Sequence, residues 1–331
     1  MPTARACFAL AAQDDLEIDH DDISQAFVQS DEFPSDVKLF LTPPEFAEAD
    51  PDVVWRLRKP LYGLAIAPKA WSDTFKRFVI TTEGWQPVAF EDCLYTRTTA
   101  SGRKMLLLVY VDDILTFWHP DDHRERAAWK SALHARFDTR SEGSVTNFLG
   151  IQVTRDRDKH TITISQSEYI QDLLDRHNLP REAHSTDTPL SPGVHLTRED
   201  SPTIPLKELG TQYREIVGSL QWLATCTRPD LAHAAQALAS FSSNPGPEHM
   251  KEAKRTLRYL NGTIDLGITY TRSATPLANT LFGFCDSDWA ACLDTRRSIG
   301  AYILLLNGGA IAWRSKNCQE ATISGPVHRR S

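Results

Sequence analysis

The sequence predicts an α+β fold, and three observations carry that expectation. Stretches with helical and strand periodicity alternate through the first half of the chain, which suggests a layered α+β arrangement rather than a doubly wound sheet. No glycine-rich loop follows a strand and opens a helix, so neither a dinucleotide-binding nor a P-loop architecture is supported. Residues 105–111 and 114–118 are apolar runs separated only by Asp112 and Asp113, a hairpin pattern with acids at its turn.

The elements follow in order. Residues 4–16 read as a helix, and a strand starts at 16–18. Residues 35–41 alternate as a strand does and end at Thr42-Pro43-Pro44. Residues 71–80 read as a helix with Trp71, Phe75, Phe78 and Val79 on one face, and 123–137 as an amphipathic helix. Residues 148–153 and 161–164 read as strands joined by the charged turn 155–159, and 168–176 as a helix. Residues 184–208 carry Pro189, Pro192, Pro202 and Pro205 among polar residues and read as the main linker. Helices are expected over 213–225, 229–241 and 248–260, then a β-rich segment from Thr269 with apolar runs at 281–284 and 301–306.

At 331 residues the chain is long enough for two or three domains, and 41% hydrophobic with 24% charged residues is an ordinary globular balance. The net charge of −7 argues against a general nucleic-acid coat but hides an asymmetry. Residues 1–52 hold 13 acids against Arg5 and Lys38, whereas residues 53–80 hold six bases against Asp73 alone. Local basic patches govern polyanion binding, so the total does not veto it. The six cysteines form no C-x-x-C pair, which disfavours a zinc ribbon. No signal peptide or membrane-length apolar run is found, so an intracellular chain, cytoplasmic or nuclear and with free thiols, is expected.

Two adjacent carboxylates at the tip of a buried hairpin repel each other unless a cation sits between them. Asp112 and Asp113 therefore suggest a divalent-cation site, of the kind Mg²⁺ makes with one or two carboxylates, waters and substrate phosphates. A solvated Asp-Asp turn is the plain alternative. Asp19, Asp21 and Asp22 form a second acidic centre, any one of which could be a surface charge.

The residues then carry a family resemblance. Tyr110-Val111-Asp112-Asp113 resembles the active-site turn of reverse transcriptases, and EIDHDDISQAF at 17–27 resembles the segment that supplies their other metal-binding Asp. KPLYGLAIAPKAW at 59–71 is similar to the LYGL…P.AW block of copia-type retrotransposons. FLGI at 148–151, SQSEYI at 165–170, TRPDLA at 227–232, LRYLNGT at 257–263, DSDWA at 286–290, RRSIGAY at 296–302 and WRSKNCQ at 313–319 follow in that family's order. Such a resemblance implies a right-hand polymerase: reverse-transcriptase palm and fingers over 1–150, thumb and connection over 151–280, and an incomplete ribonuclease H-like α/β domain over 281–331.

It implies roles as well. Asp22, Asp112 and Asp113 would hold two Mg²⁺ ions, with Mn²⁺ as a substitute, for nucleotidyl transfer on an RNA or DNA template-primer with deoxynucleoside triphosphates. Phe27 and Tyr110 would lie at the nucleotide, with Phe27 excluding a 2′-hydroxyl unless it is a simple core residue. Phe148, Leu149 and Gly150 resemble the primer-grip turn, although the tripeptide alone reads as strand core. Lys251, Lys254, Arg255 and Arg258 share one helical face and fit either duplex phosphates or a solvated surface. Asp286 resembles the first catalytic Asp of ribonuclease H, but after residue 319 the chain reads EATISGPVHRRS, and Glu320 does not match the next catalytic Glu. Ribonuclease H activity is therefore expected to be absent, with Asp286 and Asp288 vestigial and strand edges exposed.

Two departures point to impaired polymerisation, or to a fragment that binds nucleic acid without extending it. The family's basic segment upstream of residue 1 is not found, and Ala65-Ile66 stands where Lys-Gln is usual, so Ile66 offers no hydrogen bond to the nucleotide pocket. A two-metal phosphohydrolase would use the same acids, yet no His-rich metal pattern accompanies them.

Overall fold

In a computed structural model the described residues are 1–47, 50, 52–181, 184–275, 277–289 and 292–317. Glu320, Gln319, Cys318 and Ala290 lie outside them. The helices are α1 (Pro2–Asp14), α2 (Ala67–Arg77), α3 (His123–Arg136), α4 (Ser167–Arg176), α5 (Lys207–Cys226), α6 (Ala232–Ala239) and α7 (Pro247–Asn261). The first eight strands are β1 (Glu17–Ile23), β2 (Leu39–Leu41), β3 (Trp55–Leu57), β4 (Gln86–Val88), β5 (Glu91–Thr98), β6 (Lys104–Tyr110), β7 (Asp113–Trp118) and β8 (Thr139–Ser144). They are followed by β9 (Asn147–Phe148), β10 (Ile151–Asp156), β11 (Thr161–Ser165), β12 (Ile268–Thr271), β13 (Phe282–Ser287), β14 (Ile299–Leu306) and β15 (Gly309–Asn317). The chain forms a mixed helix-and-sheet fold in two compact units, Leu16–Val145 and Met1–Asp15 with Thr146–Ser331.

Leu16–Val145 is built on a six-stranded antiparallel sheet of order β4-β5-β6-β7-β1-β8. Strand side chains alternate between faces, so register decides which residues meet. One face presents Ile23, Tyr95, Met105, Leu107 and Ile114 to α2 and α3. On α2, Trp71 and Phe75 fall one turn apart and are both buried, and Phe78 continues the stripe. On α3, Trp129 and Leu133 do the same, and the Trp129 indole N–H donates to Thr116 Oγ1 at 3.1 Å. Each such side chain contributes roughly 1.5–3 kcal/mol on burial, so the aromatic cluster dominates this unit's stability. The sequence-expected helix over 71–80 begins earlier, at Ala67, and widens into a π turn over Phe78–Thr82.

In the other unit α1 is buried along most of its length, at Ala4, Arg5, Cys7, Phe8, Ala9, Ala11 and Ala12. Four alanines let neighbouring backbones approach closely. The buried cation of α1, Arg5, is satisfied by the carbonyls of Ile311, Thr225 and Cys226 and lies 3.8 Å from the centre of the Trp313 ring. Helices α4, α5, α6 and α7 share a core that includes Leu173, Tyr213, Leu220, Leu238, Leu257 and Leu260. Two of the quoted sequence blocks meet there. Arg228, only 1% exposed, donates to both carboxylate oxygens of Asp230 and to the carbonyl and hydroxyl of Thr263, while the Tyr259 hydroxyl donates to Asp230 at 2.9 Å.

The proline-rich stretch lies along α7. Glu252 accepts from the Ser191 N–H and hydroxyl, both at 2.8 Å, Thr256 donates to the Pro189 carbonyl, and the His249 ring donates to the Thr197 carbonyl. Proline lacks a donor, so polar side chains of the helix supply the partners that strand pairing would otherwise provide. Strands β12-β11-β10-β9 form one sheet and β13-β14-β15 another, in which β13 is exposed throughout and has one unpaired edge among the described residues. No helix among the described residues is long and apolar enough to cross a membrane.

Candidate active site

The acids converge through register. Asp22 is the partner of Asp113 between β1 and β7, Tyr110 is the partner of Asp113 between β6 and β7, and Arg140 is the partner of Asp22 between β1 and β8. Tyr110, Asp113, Asp22 and Arg140 therefore stand in one row across four strands, with neighbouring Cβ atoms about 4.5–5.5 Å apart. Asp19 and Asp21 point to the opposite face because the strand period is two. There they are neutralised by α3: Arg126 Nε lies 2.5 Å from Asp19, and Lys130 Nζ and His134 Nε2 lie 3.1 and 3.4 Å from Asp21. The acidic run is thus sorted into two buried, paired carboxylates and one half-buried carboxylate beside the hairpin.

The hairpin turn is tight. Tyr110 and Asp113 close it, leaving Val111 and Asp112 as a two-residue loop. Val111 has φ +57°, a left-handed conformation for which hairpins normally use glycine or asparagine. For a β-branched residue this costs on the order of 1–3 kcal/mol. Two bonds from outside the hairpin hold the loop: the Trp71 indole N–H donates to the Val111 carbonyl at 2.7 Å, and the Ile23 N–H to the Asp112 carbonyl at 2.9 Å.

Burial, and then the charges of Asp112 and Asp113, hold the Asp22 carboxyl above the usual carboxylate range, against a smaller opposing pull from His20. His20 Nε2 lies 2.9 Å from Asp113 Oδ1, and since a carboxylate only accepts, the ring nitrogen is the donor. Among the described residues no three His, Cys, Asp or Glu side chains close into a ready-made metal cage. The donor set of three mutually repelling carboxylates is all oxygen, which fits a hard cation that keeps waters and takes further ligands from substrate phosphates.

The other expected residues are placed as follows. Phe27 is half-buried after β1, with its ring centre 4.6 Å from that of Tyr62. Tyr110 is exposed beside the acids, and Ile66 is 40% exposed at the start of α2. Phe148 is buried, while Leu149 and Gly150, with φ +52° and +74°, form the two-residue turn between β9 and β10 where a continuous strand was expected. Glycine at the second position makes that turn accessible. On α7, Lys251 pairs with Glu248 at 2.9 Å and Arg255 donates to Thr188, whereas Lys254 is exposed and Arg258 half-exposed. Asp286 lies on exposed β13, accepting from the Ser287 N–H.

Sequence reasoning missed His20, Arg140 and the roles of Tyr62 and Trp71. His20 carried a usable signal, being two residues before Asp22 and so on the same strand face. Arg140 carried none, because its place beside Asp22 depends on a pairing between strands remote in sequence.

Asp22 and Asp113 thus face each other beside a strained hairpin, on an antiparallel sheet backed by two helices. The family described as reverse transcriptase (RNA-dependent DNA polymerase) matches residues 2–192, and the chain belongs to it. It is 33% identical over 322 residues to the retrovirus-related Pol polyprotein from transposon TNT 1-94 of Nicotiana tabacum, covering 96% of this chain and 23% of that polyprotein. It is 35% identical over 297 residues to the corresponding polyprotein from transposon RE2 of Arabidopsis thaliana, covering 89% and 19%. The putative transposon Ty5-1 protein of Saccharomyces cerevisiae is 33% identical over 297 residues, covering 89% of this chain and 92% of that protein. These are copia-type elements, and the chain spans about a fifth of the two Pol polyproteins (23% and 19%).

Proposed function

We infer that the chain carries an RNA-directed DNA polymerase centre on a palm formed by the six-stranded sheet. Thumb and connection correspond to the α4–α7 region, and a ribonuclease H-like segment to β13–β15. The row of Asp22 and Asp113 with Asp112 at the adjoining turn is the observation that carries this reading. These three carboxylates would hold Mg²⁺ ions, with Mn²⁺ as a substitute. Bound there, such ions would supply activation of a primer 3′-hydroxyl and neutralisation of the leaving pyrophosphate.

The chain's own residues supply position. Phe27, backed by Tyr62, forms an aromatic wall suited to excluding a ribose 2′-hydroxyl. Tyr110 stands exposed beside the acids, where an incoming nucleotide would lie. The turn at Leu149 and Gly150, propped by buried Phe148, suits contact with a primer strand. Lys254 and Arg258 offer charge to the phosphates of an RNA or DNA template-primer.

A primed RNA template with deoxynucleoside triphosphates and Mg²⁺ tests the reading. Extension by the wild type that is lost in Asp113→Asn supports it. A second reading, a chain that binds template-primer without extending it, is favoured by Ile66, which is exposed just before α2 and offers no hydrogen-bonding side-chain group. Tight primer binding with no extension by the wild type, and extension gained in Ile66→Gln, would establish the second reading over the first.

A further inference from the structure

We propose that Trp71 is a positioning residue for the acidic turn: its indole N–H clasps the Val111 carbonyl and keeps the Val111–Asp112 loop in its left-handed conformation. The inference rests on the polymerase reading above for its kinetic consequence, but not for its geometry.

The turn is under strain at one known place. Val111 has φ +57°, and a β-branched side chain relaxes toward extended backbone when nothing prevents it. Rotation there would swing the peptide between Val111 and Asp112 and carry the Asp112 carboxylate away from Asp113 and Asp22. Two consecutive peptide planes of the loop are each held from outside the hairpin. The second is held by backbone, through the Ile23 N–H on the Asp112 carbonyl at 2.9 Å. The first is held by one side-chain donor, the Trp71 indole at 2.7 Å.

Trp71 is itself closely packed. It is 2% exposed, its ring centre lies 5.6 Å from that of Phe75 and 5.2 Å from that of Phe137, and it sits in the first turns of α2. A phenyl ring would fill most of that space, so packing alone does not call for an indole. The N–H is what distinguishes the indole there, because this donor is aimed at the strained turn. The clasp also gives a reason for Trp at the end of the block at 59–71, whose loop contributes Tyr62 to the aromatic wall.

The test uses the full chain and Trp71→Phe, which keeps ring packing and deletes the donor. The expected result is a melting temperature close to wild type and kcat for primer extension lower by about 10–100-fold. KM for the deoxynucleotide should change little, and Mn²⁺ binding to the chain without nucleic acid, followed by electron paramagnetic resonance, should weaken. Adding Val111→Gly, which removes the strain at φ +57°, should restore much of the loss. Unchanged kcat and Mn²⁺ affinity in Trp71→Phe would overturn the proposal, as would failure of the glycine to recover anything. If Trp71→Phe does not fold, 3-benzothienylalanine at position 71 keeps the ring shape without the donor and is judged by the same outcomes. If the wild type extends no primer, the polymerase reading fails, and the Mn²⁺ measurement alone decides the clasp.

Discussion

Replacing Asp22 by asparagine keeps the side-chain size and removes one of three negative charges from the corner where β1 meets the β6–β7 hairpin. Asp22 and Asp113 are direct antiparallel partners, which places their Cβ atoms about 4.5–5.5 Å apart. Two unit charges 5 Å apart at an effective dielectric near 20 repel by about 3 kcal/mol. The carboxylates are half-buried, so solvent screening reduces this to about 1–2 kcal/mol. For a cooperative unit the size of Leu16–Val145, that corresponds to a rise of about 3–8 °C in melting temperature. Asp22→Asn should therefore be more stable than wild type in EDTA, measured by differential scanning calorimetry on the full chain. With Mg²⁺ or Mn²⁺ the order should close up, because a cation relieves the same repulsion in the wild type and gains less from the variant. A variant that melts at or below the wild-type temperature in EDTA would show that the acids do not repel one another. Equal stabilisation of both chains by the cation would remove Asp22 from the metal site.

Three further outcomes are expected. Arg228→Met removes the donors to Asp230, a carboxylate 32% exposed, and to the Thr263 carbonyl and hydroxyl, and should cost about 1–3 kcal/mol in urea unfolding; no loss at all would contradict the network. Burial pushes the Cys226 thiol from 9.0 up to about 11, so the fold favours its neutral form: that stabilisation is complete below pH 9, is lost between pH 9 and about 11, and amounts to about 3 kcal/mol at most. The urea midpoints of wild type and Cys226→Ala should accordingly draw together above pH 9, and parallel profiles would refute the shift. Lys254→Glu and Arg258→Glu should each weaken template-primer binding and lower the salt slope by about 1, whereas Lys251→Glu, whose ammonium is engaged by Glu248, should do less. Equal effects from all three would return the helix to a generic charged face.

Much of the Leu16–Val145 unit was legible because its signals are local. Apolar runs of strand length on either side of Asp112-Asp113 are enough to specify a buried hairpin, and the structure places β6 and β7 within a residue or two of the expected bounds. The helix of Trp129 and Leu133 was equally plain from its period. The strand expected over 148–153 was not, since whether Leu149 and Gly150 continue a strand or turn it depends on what β10 pairs with. The basic face of α7 was read correctly as a face, but its occupancy was invisible: Arg255 is spent on Thr188 and Lys251 on Glu248.

By itself the sequence determined the family, the acidic hairpin and the candidate acids, because residue identity and short-range periodicity are written along the chain. The family resemblance singled out Asp22 among Asp19, Asp21 and Asp22, but only the tertiary structure gives the physical reason that it is the one beside the hairpin. A strand has two faces, and the one that becomes interior is chosen by the helix that covers it. Here α3 brings Arg126, Lys130 and His134 to one face from a hundred residues away, which leaves Asp22 on the other beside Asp113.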